Sequence, residues 1–195
     1  MSRTLTVGAV APLFSRLDTT GRPVSLQDHK KSFTLVAFLR YSGCPWCNLA
    51  VHRLAMEHPL LKESKCEIIA FIQSSKESIE ENIFNRHDVK PLFPIIADSD
   101  METYQQYCVN TSKIRSLQHQ IKHIPAWVRS VSKEGFTQTS IDGNFFLAPA
   151  VFLVSPGSQK IIRADYNADL YKHESFTAIY DSIADYSLYG DSLAS

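Results

Sequence analysis

Apolar residues fall along the chain in strand-length runs, separated by stretches with helical periodicity. Phe33–Leu39 is apolar throughout except for Thr34, the pattern of a strand covered on both faces. Residues 67–72 repeat it. Between them, Cys47, Ala50, Val51, Leu54, Ala55 and His58 recur at i, i+3, i+4, i+7 and i+8, which predicts a helix with Pro59 marking its end region. Ser74-Ser75-Lys76-Glu77 and Ser99-Asp100-Met101-Glu102 both have the form of a capping box, in which a side-chain oxygen and a Glu three residues on satisfy helix-end amides. They predict one helix reaching about Arg86 and a short one reaching about Cys108. Residues 93–97 suit a third strand, with Pro94 near its start. Ala150–Val154 and residues 160–165 predict two more strands, joined by the turn Ser155-Pro156-Gly157-Ser158. His173–Tyr189 reads as a helix with Phe176, Ile179, Tyr180 and Ile183 on one face. Residues 111–144 carry little pattern beyond a helical stretch at 113–123. Strands alternating with helices predict an α/β layered fold, with a largely parallel central sheet closed by a hairpin.

Composition narrows the function classes. At 195 residues, without repeat or linker, the chain is expected to form one domain over 1–195. Lys plus Arg and Asp plus Glu balance at 20 each, which argues against a partner such as nucleic acid or an anionic membrane. No run approaches the ~18 apolar residues of a membrane span, and the N-terminus lacks the apolar stretch of a secretory signal. The expected location is the cytoplasm. Four cysteines suit a reducing compartment, where a close pair points to redox or metal chemistry rather than stapling.

The seven glycines cannot supply G-x-G-x-x-G or a Walker A loop, and H-E-x-x-H and G-x-S-x-G are also missing. Chemistry therefore concentrates in Cys44-Pro45-Trp46-Cys47, between a predicted strand and the first turn of a helix. With Cys44 at the N-cap and Pro45 at the first helical position, the missing proline N–H costs nothing. The Cys44 sulfur then faces the free amides of Trp46 and Cys47 at the positive end of the helix dipole, conditions that favour thiolate. Cys47, on the apolar face, should be less exposed and less acidic. An attacking Cys44 and a resolving Cys47 are the natural division of labour, closing a disulfide within one helical turn. Arg40, at the strand end, places positive charge near Cys44. Trp46 is expected to be exposed as a docking surface. Half of a zinc site is the competing reading of C-x-x-C, with His119 and His123 as the one plausible partner pair. Cys66 and Cys108 read as small buried hydrophobes.

These features resemble the thioredoxin-like superfamily, and within it the peroxiredoxin-like (alkyl hydroperoxide reductase/thiol-specific antioxidant) branch. Val7-Gly8 through Pro12, with Phe14, Asp18, Gly21, Val24 and Leu26, matches its opening hairpin. Leu35 to Cys47 matches its strand and active-site cysteine. Phe93-Pro94-Ile95-Ile96-Ala97-Asp98 matches its F-P-x-x-x-D segment, and Ala148-Pro149 leads into a late strand. The resemblance implies a thioredoxin-like fold: a central mixed sheet flanked by helices, an N-terminal hairpin and an insert at about 111–145. It implies that Pro149 is cis and faces the active cysteine. It also implies peroxide or disulfide as substrate and a thioredoxin- or glutathione-type reductant, with no cofactor and no metal. Two family positions depart from the pattern P-x-x-x-T-x-x-C: Ala37 replaces its Pro and Tyr41 its Thr. The family's substrate-orienting Arg falls near Pro149, which leaves Ser42 or Arg40 to take those parts. Two alternatives stand beside a peroxidase: a thiol–disulfide exchanger, and a non-catalytic module that holds zinc or binds a partner. Oligomeric state and any part for Cys66 or Cys108 are open.

Overall fold

The computed structural model describes residues 4–86, 92–109 and 139–190. The predicted helix at 113–123, most of the insert, and His119, His123 and Trp127 lie outside the described residues.

A five-stranded mixed sheet with strand order β5-β4-β3-β6-β7 forms the centre. Its strands are β3 (Phe33–Leu39), β4 (Cys66–Ile72), β5 (Ile95–Ala97), β6 (Ala150–Val154) and β7 (Ile161–Tyr166). β3 runs parallel to β4 and β4 to β5, whereas β6 is antiparallel to both β3 and β7. The sheet is thus half parallel, because the 155–158 turn reverses the chain directly. A separate antiparallel hairpin, β1 (Ser15–Leu17) and β2 (Pro23–Ser25), precedes it. At its tip the Asp18 carboxylate accepts the Thr20 and Arg22 amides at 2.8 and 2.9 Å, and Gly21 takes the left-handed φ of 83° that the turn needs.

Alternation along β3 explains why it is apolar throughout. Leu35, Ala37 and Leu39 face one core, while Val36 and Phe38 face another. The first core lies under two long helices, α1 (Pro45–Glu63) and α4 (His173–Tyr189), with Leu54, Leu61, Phe176, Ile179 and Ile183 buried in it. The second is aromatic, with Phe38 stacked on Phe71 at 5.0 Å and edge-on to Tyr104 at 4.9 Å. The N-terminal segment and α3 (Glu102–Gln106) close that side.

Three predicted boundaries move. α1 runs through Pro59 to Glu63, because a proline's fixed φ suits a helix and only one backbone bond is lost. Burying Leu61 beyond it, worth about 1.5–3 kcal/mol, offsets that loss. The cap of α2 (Lys76–Ile79) is Ser75, whose hydroxyl accepts the Ser78 amide at 3.2 Å. Ser74 is taken by another task, described below. The helix continues as a π-helical turn over Glu80–Asn85. At α3 the Asp98 carboxylate, not Ser99, accepts the Thr103 amide, at 2.9 Å. Met101 stands at the N-cap in left-handed conformation with φ 58°.

Candidate active site

The chain leaves β3 at Leu39 and enters α1 at Pro45 through a loop that is buried at every residue. Backbone and side-chain bonds clamp that loop to the end of β4. The Gln73 amide donates to the Arg40 carbonyl at 2.9 Å, and the Ser42 amide to the Ser74 hydroxyl at 2.8 Å. Asn48, one turn into α1, donates to the Ser42 carbonyl at 3.0 Å. From beneath, the Tyr104 hydroxyl lies 2.5 Å from the Leu39 carbonyl oxygen and 2.9 Å from that of Phe71, joining the ends of the two central strands. Burial and the Asp98 charge raise its pKa, so it remains a proton donor.

Cys44 occupies the N-cap of α1 in extended conformation (φ −81°, ψ 121°), with Pro45 next. Burial is the largest influence on its thiol and acts upward. It is outweighed by the Cys47 thiol hydrogen bond, the Arg40 charge and the amides of Cys47 and Trp46, which bring the pKa from 9.0 to about 6. Neither amide makes a full side-chain cap bond; they act as aligned dipoles at the helix end. Cys47 moves the opposite way. Burial, the hydrogen bond to Cys44 and the Cys44 charge raise its pKa, against an opposing effect of Arg40. The Arg40 amide donates to the Cys47 sulfur at 3.2 Å. Both thiols are free.

The expected difference in exposure between the two cysteines is not found: Cys44 is 1% and Cys47 3% exposed. A second segment, residues 139–147, lies on the loop that carries Cys44. A Cβ on Gly43 would stand 2.1 Å from the Ser140 carbonyl oxygen, and one on Gly143 would stand 2.7 Å from the Tyr41 Cβ. The Thr139 amide donates to the Gly43 carbonyl at 3.1 Å, and the Asn144 amide to the Gln73 side-chain oxygen at 2.8 Å. Arg40, itself buried, donates to the Phe145 carbonyl at 2.6 Å and stands 5.0 Å from the Phe145 ring centroid. Its charge is therefore shared between Cys44 and this segment.

Ser42 lies beside the cysteines in sequence, but its hydroxyl is engaged elsewhere. Asn82 donates to it at 3.2 Å, and it faces the Asp142 carboxylate at 3.4 Å. Both contacts brace the cysteine loop. Trp46 is half-buried rather than exposed, packed against Leu49 and Tyr171 with its indole nitrogen enclosed. Pro149 does reach the site. It lines a narrow apolar cleft with Arg40, Trp46, Cys47, Leu170 and Tyr171. Its peptide bond is trans, since no cis bond occurs among the described residues. Trans is the lower-energy isomer even before proline, and the Pro149 carbonyl is held by the Asn167 and Ala168 amides at 2.8 and 3.1 Å. Cys47 opens onto this cleft and Cys44 does not. Cys66 is fully buried with its pKa pushed up to about 12 by burial, and Cys108 is partly exposed. Among the described residues, no group of three or more His, Cys, Asp or Glu could hold a metal ion.

Sequence reasoning missed Gln73, Asn82 and Tyr104. Asn82 sits in a helix that widens to a π turn, and such turns cluster at functional sites. Nothing local in the sequence announces that widening.

A cysteine pair at the start of a helix, fed by the central strand of a thioredoxin-like sheet, defines a thiol oxidoreductase. Residues 7–163 match the AhpC/TSA family, and the chain belongs to that family. A comparison with curated proteins found no match. Among solved structures, peroxidoxin BcpB from Mycobacterium tuberculosis is similar at a TM-score of 0.65 and 10% identity, over 93% of this chain and 97% of that one. Peroxiredoxin Q from Xanthomonas campestris has a TM-score of 0.61 and 16% identity, over 94% and 99%. The thioredoxin domain of a thiol-disulfide oxidoreductase from Bacteroides vulgatus has a TM-score of 0.55 and 20% identity, over 92% and 99%. At these identities the likeness establishes the fold.

Proposed function

We propose that the protein reduces small hydroperoxides, with Cys44 as nucleophile and Cys47 as resolving thiol, and that an external dithiol or glutathione-type thiol resets it. The observation that carries this reading is the placement of Cys44 at the N-cap of α1 with the Arg40 charge and the Cys47 thiol beside it, which lowers the Cys44 thiol pKa while burial raises that of Cys47. The Cys44 thiolate attacks the distal peroxide oxygen, the O–O bond breaks, and the departing alkoxide leaves as the alcohol after taking a proton. Cys44 becomes a sulfenic acid. Its negative charge, which had kept Cys47 protonated, is then gone, so the Cys47 proton is released more easily at that moment. Cys47 attacks the Cys44 sulfur, water leaves, and a disulfide remains. Two electrons from the reductant restore both thiols. Arg40 holds the thiolate and steadies the negative charge during attack.

Thiol–disulfide exchange is the second reading, favoured by the apolar cleft in which Cys47, Trp46 and Pro149 meet. Stopped-flow oxidation of the reduced protein by hydrogen peroxide separates the two. Loss of two thiols per chain, far faster than free cysteine reacts and abolished in Cys44→Ser, supports the peroxidase. A rate like that of free cysteine, with fast reduction of a disulfide substrate, supports exchange. Slow reaction with both overturns both.

A further inference from the structure

The cleft reaches Cys47, whereas Cys44 is buried and the loop that carries it lies against residues 139–147. Two of this segment's apolar side chains face outward, Ile141 at 58% and Phe146 at 40% exposure, and Phe145 alone before Leu147 packs against the core, half-buried. The segment is held by polar contacts to three buried side chains. Arg40 donates to the Phe145 carbonyl, Gln73 accepts the Asn144 amide, and Asn82 accepts the Thr139 hydroxyl at 2.6 Å. Asn82 also donates to Ser42 on the cysteine loop, so one amide side chain ties loop and segment together. At its far end Leu147 is buried in the aromatic core, a fixed point about which the rest can swing. Segments with few apolar contacts and exposed backbone bonds open at low free-energy cost compared with core elements. Gly43 and Gly143 face the contact from both sides, and in each case a side chain would collide with backbone.

We infer that residues 139–147 form a gate over Cys44, latched by Arg40, Gln73 and Asn82, and that Cys44 reacts only when this gate opens. The inference rests on Cys44 being the reactive thiolate. Opening admits the peroxide or other electrophile to Cys44 without unwinding α1, and closing seals the thiolate from water beside Arg40.

Alkylation of the reduced protein by iodoacetamide, with the labelled cysteine identified by mass spectrometry, tests it. In the intact protein Cys44 should react more slowly than a free thiolate of equal pKa. Asn82→Ala and Gln73→Ala each remove a latch, and each should accelerate labelling by about fivefold, the equivalent of one hydrogen bond. The midpoint of thiolate absorbance against pH should stay in place, which separates gating from altered acidity. Unchanged rates in both folded variants, or acceleration fully explained by a moved midpoint, would overturn the gate. Label on Cys47 in place of Cys44 would instead refute the nucleophile assignment. Amide exchange in the unaltered protein covers the case of variants that do not fold. The Thr139 and Asn144 amides should exchange well before those of Asn48 and Leu49. Simultaneous opening of α1 and the segment would contradict the gate.

Discussion

Arg40 is a buried charge beside the cysteine pair. It is 3% exposed, and its guanidinium serves the Cys44 thiolate, the Tyr41 and Phe145 rings and the Phe145 carbonyl together. Replacing it by Met should raise the Cys44 pKa by about 1–3 units, the usual effect of removing a close opposite charge. Reaction near neutral pH should slow and recover at higher pH, which a pH profile of alkylation would reveal; an unmoved profile would remove Arg40 from the chemistry. Cys66 is the contrasting residue. With its pKa near 12 and no exposed surface, it should resist alkylation under native conditions and become labelled only in denaturant. Cys44 and Cys47 were legible in the sequence because the spacing and the neighbouring proline announce a helix N-terminus. Their shared burial was not, because the segment that lies on the Cys44 loop arrives from about a hundred residues away.

Among the elements, two with one clear periodicity and no internal proline were read to their bounds. β3 and α4 have the predicted bounds, Phe33–Leu39 and His173–Tyr189, because burial on both faces and a single apolar stripe each leave one solution. Caps were read less well. Ser74 and Ser75 are chemically alike, and the choice between them is made by the Ser42 amide, a tertiary partner. The 139–147 segment has no periodicity, since irregular backbone bonds to Gly43, Gln73 and Arg40 define it. Pro59 offers a test at this scale. It is exposed in the interior of α1, where proline forfeits a backbone bond. Pro59→Ala should stabilise the protein by about 1–3 kcal/mol in denaturant unfolding, without altering thiol reactivity. Destabilisation would show that the helix depends on the proline's rigidity.

At the scale of the whole molecule, the two cores on either side of one sheet hold the cysteine loop from both faces, with Tyr104 pinning β3 to β4 directly below it. That frame ties redox state to stability. The Cys44 thiol falls from 9.0 to about 6 on folding, so its ionisation stabilises the reduced fold. The contribution is complete above the unfolded value of 9.0, shrinks as pH falls, and is gone below about 6. The Cys44–Cys47 disulfide cannot draw on it and closes too short a loop to restrict the unfolded chain much. The reduced protein should therefore melt at a higher temperature than the oxidised one at pH 8, and the gap should narrow toward pH 6. Calorimetry on both forms checks this, and equal melting temperatures at pH 8 would contradict it. On the proposed cycle, the same stabilised thiolate would make a Cys44–Cys47 disulfide a stronger oxidant than that of an ordinary thiol pair.

The most direct test of the Cys44 assignment is the absorbance of thiolate in the ultraviolet, followed against pH in the reduced protein, in Cys44→Ser and in Cys47→Ser. One thiol should ionise with a midpoint near 6 in the unaltered protein, and that transition should vanish in Cys44→Ser. A transition that survives in Cys44→Ser and disappears in Cys47→Ser, or no ionisation below pH ~8, the ordinary range for cysteine, would contradict the division of labour between the two sulfurs.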